Sequence, residues 1–121
     1  MAVLSGEQDH TGPGAPHTLA VISDRLYTIA VLDGGSTQCL MSKRLAEALG
    51  YSFQGTKVIK HNMADRSSAK TVGTARDVKI AVKYKAIVVS ADVYDQESYD
   101  FLIGRRAMHR LQINTSWVEY G

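Results

Sequence analysis

An apolar run ends on a carboxylate, two glycines and two hydroxyl residues in Val31-Leu32-Asp33-Gly34-Gly35-Ser36-Thr37. A charged carboxylate at the end of a buried strand is costly, because a low-dielectric surround replaces water. The glycines let the backbone turn sharply and leave room for another group to approach. Asp33 is therefore either a turn residue or a reactive group.

The composition is that of one ordinary globular domain. The chain has 121 residues, of which 45% are hydrophobic and 21% charged, and its net charge is only +2. Because the lysines and arginines are scattered, we expect no nucleic-acid partner. The sequence contains neither a membrane-spanning apolar stretch nor a signal peptide, and its four dispersed histidines predict no metal site. The single cysteine, Cys39, excludes an internal disulfide and favours an intracellular, cytoplasmic location.

The first 32 residues comprise a glycine- and proline-rich segment followed by two apolar runs. Residues 1–17 are rich in glycine and proline and predict a flexible arm or linker, as in a domain cut from a larger polyprotein, with the domain at 18–121. Two apolar runs, Leu19–Ile22 and Leu26–Leu32, flank the polar Ser23–Arg25 and predict a β-hairpin.

A short helix is predicted after the Asp33 loop. Met41, Leu45 and Leu49 have helical spacing, Ser42 is a candidate N-cap, and Gly50 stands where a C-cap glycine belongs.

The rest of the chain alternates between short apolar runs and polar breaks. We expect a loop over Asp92–Asp100 and a second helix over Arg105–Leu111. Many short strands without a βαβ rhythm predict an all-β, mostly antiparallel domain with one or two short helices. Strands are expected at Val58–Met63, Thr71–Val72 (broken by Gly73), Val78–Val82, Ala86–Val89 (the more buried one), Phe101–Ile103 and Ser116–Val118.

Three interpretations of the Asp33 loop compete. Asp-Gly is a strong hairpin signal, but no returning strand follows it. Asp-Gly-Gly-Ser-Thr also resembles the phosphate loop of actin-like kinases, whose two large α/β lobes do not fit so short and β-rich a chain. The third interpretation is a catalytic aspartate.

The order of the motifs resembles that of the retropepsins, the aspartic proteases of retroviruses and gypsy-type LTR retrotransposons. A hairpin leads into the Asp33 loop, and Met41–Gly50 follows in the family's position after the active site. Strand, polar turn and strand around Asn62–Val78 occupy the flap position, and Tyr99–Arg106 is similar to the family's hydrophobic-hydrophobic-Gly-Arg element.

The resemblance implies a compact acid-protease β-barrel that forms a C₂ homodimer, with Asp33 of each subunit as the catalytic residue. A chain with a single Asp-x-Gly element holds half of the two-carboxylate site. The implied partners are a second copy and a peptide or polyprotein substrate, and no cofactor or metal is implied. The resemblance implies substrate-binding residues at Gly35, Ser36, Thr37, Met63, Ala64, Asp65 and Arg66, and dimer or structural residues at Gly34, Leu102, Ile103, Gly104 and Arg105.

Two residues depart from the family pattern. Gly34 replaces a threonine or serine whose hydroxyl braces the paired loops across the dimer axis. Thr37 replaces an aspartate that pairs with the arginine matched here by Arg105, so Arg105 needs a backbone carbonyl or Asp100 instead. The first departure keeps an alternative open, a non-catalytic dimerisation or peptide-binding domain. Cys39 is expected to be a buried small residue, and Trp117 to pack in the core or the dimer interface.

Overall fold

The predicted hairpin forms the start of the fold. The computed structural model describes residues 2–3, 16–53, 60–62, 68–113 and 119–120. In it, β2 (Pro16–Ile22) pairs antiparallel with β3 (Leu26–Asp33). Ser23 and Asp24 both have positive φ, 55° and 57°, the backbone twist that suits a tight connection between antiparallel strands. The hairpin prediction is confirmed.

Six strands close into a barrel. The pairing runs from β3 to β8 (Phe101–Gly104), β4 (Cys39–Ser42), β7 (Lys85–Tyr94), β6 (Ser68–Val82) and β2, and it returns to β3. The β3–β8 and β4–β7 pairs are parallel and the other four are antiparallel, so the predicted all-β barrel with two short helices is confirmed, with mixed pairing. The remaining elements are β1 (Ala2–Val3), α1 (Lys43–Leu49), β5 (Lys60–Asn62), α2 (Arg105–Arg110) and β9 (Glu119–Tyr120).

Both helices begin and end close to the predicted residues. The Ser42 side chain accepts a hydrogen bond from the Leu45 N–H at 3.1 Å, and Gly50 adopts the left-handed conformation (φ 79°) at the end of α1. Both caps satisfy backbone groups that a helix end leaves unpaired. Within the described residues, no helix has the length and apolar character needed to cross a membrane.

The apolar side chains form two separate clusters. The large one fills the barrel with alternate residues of its strands, such as Ile22, Leu32, Ile80, Val93 and Phe101. The smaller one, which we call the outer cluster, lies on the opposite face of β4 and β8. The outer cluster consists of Leu40, Tyr94, Tyr99 and Leu102, with Val31 packed against them.

Strand β6 corrects one prediction. Gly73 does not break the strand, because β6 continues from Ser68 to Val82 with register shifts at Thr71/Gly73 and at Ala75/Val78. A Cβ atom on Gly73 would lie 1.6 Å from the carbonyl oxygen of Phe53. Glycine at this position therefore allows a close backbone approach, which is another common use of glycine within a strand.

Strands β4 and β7 correct two further predictions. The sequence did not predict β4, whose four residues are all buried. The segment expected to be the more buried strand, Ala86–Val89, is the exposed half of β7, with Val88 49% exposed. The buried half is Ala91–Tyr94, which extends into the segment predicted as a loop.

Several predictions fall outside the described residues. They include the four flap residues Met63, Ala64, Asp65 and Arg66, the terminal strand at 116–118 with Trp117, and most of the N-terminal arm. The strands on either side of residues 63–67 are described, and Lys60–Asn62 pairs antiparallel with Ser68–Lys70. The domain boundary after residue 17 stays a prediction.

Gly73→Ala tests the close approach to Phe53. Backbone atoms block the new methyl group, so we expect the substitution to lower the free energy of unfolding by about 1–3 kcal/mol, the usual cost of overpacking. Gly34→Ala is the matched control, because a Cβ atom there meets nothing within 4 Å. Urea denaturation of both variants would measure the difference. Equal stability of the two would contradict the packing described here.

Candidate active site

Asp33 is the last residue of β3, and its Cα partner on β8 is Gly104. The side chain is partly exposed at this end of the barrel. Its Oδ1 accepts a hydrogen bond from the Gly35 N–H at 2.9 Å, and the Ser36 N–H donates to the Asp33 carbonyl oxygen at 3.2 Å. The loop therefore turns back on Asp33 and holds one of its carboxylate oxygens.

The loop after Asp33 packs closely against Gly104. A Cβ atom on Gly104 would lie 2.4 Å from the Gln38 carbonyl oxygen and 2.9 Å from that of Ser36. The next residue, Arg105, donates its backbone N–H to the Ser36 carbonyl oxygen at 2.7 Å. The loop after β3 can reach the end of β8 only because residue 104 has no side chain.

The Arg105 side chain also contacts the loop. Its Nη1 donates to the Gly34 carbonyl oxygen at 3.5 Å, a long hydrogen bond in an exposed place. Of its two expected partners, the backbone carbonyl is thus correct. Asp100 is not the partner, because its carboxylate is bound by Arg44 instead.

The outer cluster continues from Asp33 along the same face. Val31 lies two residues before Asp33 on β3, so both side chains lie on one face of the strand, and Val31 pairs in register with Leu102. Leu102 in turn pairs with Leu40 across β8 and β4. Tyr99 packs against these residues and is itself 8% exposed. A buried apolar cluster, with the partly exposed Val31 at its edge, therefore adjoins the carboxylate at this end of the barrel.

Comparison with solved structures identifies this arrangement. The crystal structure of the retroviral protease-like domain of Ddi1 from Leishmania major matches with a TM-score of 0.64 and 15% identity, over 90% of each chain. EIAV protease in complex with the inhibitor HBY-793 matches with a TM-score of 0.64 and 20% identity, over 83% of this chain and 90% of that one. The chain has the retropepsin fold. A scan against protein-family models and a search of curated proteins found no match.

The retropepsin fold brings together most of the predicted site residues that the structure describes. Gly34, Gly35 and Thr37 are exposed in the loop after Asp33, next to Gly104 and Arg105. The Ser36 hydroxyl bonds within the loop, since it donates to the Gln38 carbonyl oxygen at 2.9 Å and accepts from the Gln38 N–H. Ile103 is fully buried in the barrel, whereas Leu102 belongs to the outer cluster. The binding roles of Gly35, Ser36 and Thr37 stay predictions.

One polar network has no local signal in the sequence. The buried Asp100 carboxylate accepts hydrogen bonds from the Ser42 hydroxyl at 2.7 Å and from Arg44 Nε at 2.6 Å and Nη2 at 3.2 Å. These bonds raise the pKa of the Arg44 guanidinium. Ser42 was correctly predicted as an N-cap, but nothing in its spacing indicates a partner 58 residues away.

Cys39 is a core residue of the retropepsin fold here, as expected. It is 5% exposed within the large apolar cluster, and burial raises the pKa of its thiol. A thiol nucleophile needs a depressed pKa and access to substrate, and Cys39 has neither. Among the described residues, no three His, Cys, Asp or Glu side chains come together as metal ligands would.

The reactivity of Cys39 tests this assignment. Because the raised pKa keeps the thiol protonated and burial blocks the reagent, we expect the folded protein to react with Ellman's reagent at pH 8 at least a hundredfold more slowly than the urea-unfolded chain. The unfolded chain is its own control, since it contains the same single cysteine. Comparable rates in the two states would show an accessible, reactive thiol.

Proposed function

We propose that this protein is an aspartic endopeptidase whose active site forms between two copies of the chain. The observation that carries the proposal is the partly exposed Asp33 at the end of a strand of the retropepsin barrel, hydrogen-bonded by its own loop and adjoining the outer cluster. The sequence has a single Asp-x-Gly element of this kind, so one copy supplies one carboxylate. A two-fold axis through the loop supplies the second.

The reaction needs both carboxylates. Two carboxylates brought close together share a proton, because two like charges at such a distance cannot both ionise. The ionised Asp33 takes a proton from a water held between them, and the water oxygen attacks the peptide carbonyl. The neutral Asp33 donates its proton to the carbonyl oxygen. In the collapse of the tetrahedral intermediate the C–N bond breaks, the nitrogen takes the proton from the Asp33 that the water protonated, and one hydroxyl of the intermediate gives its proton to the other Asp33, which restores the pair.

The proposed substrate is an extended peptide, within a polyprotein or another protein, that lies across the two carboxylates. The partly exposed Val31 supports this proposal, because it lies on the same face of β3 as Asp33 and offers an apolar contact, backed by the buried outer cluster, to a side chain of an extended peptide. Gly35, Ser36 and Thr37 would contact the peptide from below. The β5–β6 hairpin would act as the flap, and Met63, Ala64, Asp65 and Arg66 are its predicted substrate-binding residues. We extend the proposal to an intracellular setting, as part of a larger polyprotein.

Asp33→Asn is the direct test of catalysis. The asparagine keeps the size of the side chain but cannot act as the base, so we expect cleavage of a peptide library at pH 4–7 to fall by at least a thousandfold. Asp24→Asn is the matched control, since Asp24 lies in the β2–β3 turn, where its only described ion pair is with the exposed Lys79. Equal cleavage by wild type and Asp33→Asn would reject the proposal.

Gly34 favours a second candidate function, a retropepsin-like dimerisation or peptide-binding domain without hydrolysis. Glycine at this position supplies no hydroxyl to brace the two loops. The position itself accepts a side chain, because a Cβ atom meets nothing within 4 Å and Gly34 is not in the left-handed region. The missing brace therefore bears on the dimer rather than on the shape of the loop within one copy.

Gly34→Thr separates the two candidates. Two restored hydrogen bonds at about 1 kcal/mol each should lower the dimer dissociation constant roughly tenfold to thirtyfold, measured by sedimentation over a concentration series. Wild type that cleaves well would exclude the non-catalytic candidate, whereas cleavage only in Gly34→Thr would favour it. A variant that dimerises no better would show that the loops meet without using residue 34.

A further inference from the structure

A buried carboxylate ties the segment before β8 to the start of α1. The Asp100 side chain has no exposed surface, and the Arg44 side chain that binds it is 38% exposed. The backbone joins in, because the Ser42 N–H donates to the Asp100 carbonyl oxygen at 2.8 Å. Breaking a pair of this kind on one side is costly, since the other charge stays buried without its partner. The network therefore fixes residue 100 strongly.

The six residues that lead to this point form a closed, braced loop. Gln96 Nε2 donates to the Tyr99 carbonyl oxygen at 2.8 Å, and the Ser98 N–H donates to Gln96 Oε1 at 2.6 Å. Loop 95–100 is thus held by the Gln96 side chain, which bonds to residues within the loop, and by Arg44, which binds Asp100 at its end. It leaves β7 at Tyr94 and enters β8 at Phe101.

The loop places one buried aromatic side chain in the outer cluster beside Asp33. Tyr99 precedes Asp100 directly and packs in the outer cluster with Leu40 and Leu102. A shift of Asp100 therefore moves Tyr99 within the outer cluster, which backs the place beside Asp33 where the proposed peptide would lie. The large cluster within the barrel does not contain Tyr99, so the barrel core does not set the position of this ring.

We propose that Arg44 is a positioning residue for peptide binding: it fixes loop 95–100 through Asp100 and so holds Tyr99 in the outer cluster, which backs the place beside Asp33 where the peptide would lie. This inference rests on the proposed function and assigns a role to a residue 11 positions from the carboxylate in sequence. Arg44 has no contact with Asp33 among the described interactions, so its effect is on substrate affinity and not on the chemical step.

Arg44→Met tests the inference by two independent readouts. The first is amide exchange at Ser98 and Tyr99, which we expect to quicken at least tenfold as the loop loosens. The second is the KM of two substrates. One is the library peptide that wild type cleaves best, and the other is its analogue in which the large apolar residue beside the scissile bond is alanine. Ordering one side chain on binding predicts a KM about threefold to tenfold higher for the first peptide, with kcat within twofold. The alanine analogue should show no change in KM.

Lys79→Met is the matched control for the loss of an ion pair. The Lys79–Asp24 pair joins exposed side chains on the barrel surface, with 45% and 65% of their areas exposed. We expect neither readout to change in this variant. Arg44→Lys keeps the charge but not the two-pronged contact with Asp100, so it should fall between wild type and Arg44→Met.

Asp100→Asn keeps the test valid if Arg44→Met does not fold. Asparagine still offers an oxygen to Ser42 but no second acceptor to Arg44, so the same two changes are expected at smaller size. Unchanged exchange at Ser98 in a folded Arg44 or Asp100 variant would overturn the inference whether or not the protein cleaves peptides. Faster exchange with an unchanged KM for the apolar peptide would also overturn it. Absence of cleavage by the wild type would instead reject the proposed function.

Discussion

The parallel pairing of β3 with β8 places every other part of the site. These strands are remote in sequence, yet their register runs from Ala30 opposite Phe101 to Asp33 opposite Gly104. The pairing joins the first hairpin to the last strand of the six-stranded ring, and it brings the loop after Asp33 onto a residue with no side chain. Because the carbonyl oxygens of Ser36 and Gln38 occupy the space of a Cβ atom, both loop and strand end are fixed together.

The Asp33 loop is held within a single copy of the chain. Its hydrogen bonds run to its own backbone, to the Asp33 carboxylate and to Arg105 at the start of α2. This explains how the loop keeps its shape although Gly34 lacks a hydroxyl and Thr37 lacks a carboxylate. The proposed second copy then has to position the two carboxylates but does not have to shape either loop.

The carboxylates of Asp33 and Asp100 lie in different surroundings. The carboxylate proposed for catalysis is partly exposed and held by a backbone N–H, whereas the carboxylate at residue 100 is fully buried and paired with a cation and a hydroxyl. The two aspartates therefore differ in their exposure and in the groups that hold them.

Much of the fold could be predicted because local signals agreed with the tertiary structure. The hairpin before Asp33 and the capped helix α1 each combine apolar spacing with suitable turn or cap residues. Strand β4 escaped prediction because four buried residues have no alternation to detect, and it is short.

Other features depend on contacts that no local pattern encodes. Gly73 looks like a strand breaker, but the close approach of Phe53 requires glycine within a continuous strand. The pairing of Asp100 with Arg44 joins two segments 56 residues apart, and in sequence Asp100 is only another polar residue of a loop. The Asp33 loop could be identified from its residues and their order, whereas the outer cluster beside it required the barrel.

The proposed shared active site depends on the distance between the two Asp33 carboxylates, which a crystal structure with a peptide-like inhibitor would measure. We expect a symmetric dimer with the carboxylates roughly 3 Å apart and the inhibitor lying between them. An inhibitor bound to one copy alone, or a dimer that places the two Asp33 side chains on separate surfaces, would contradict it.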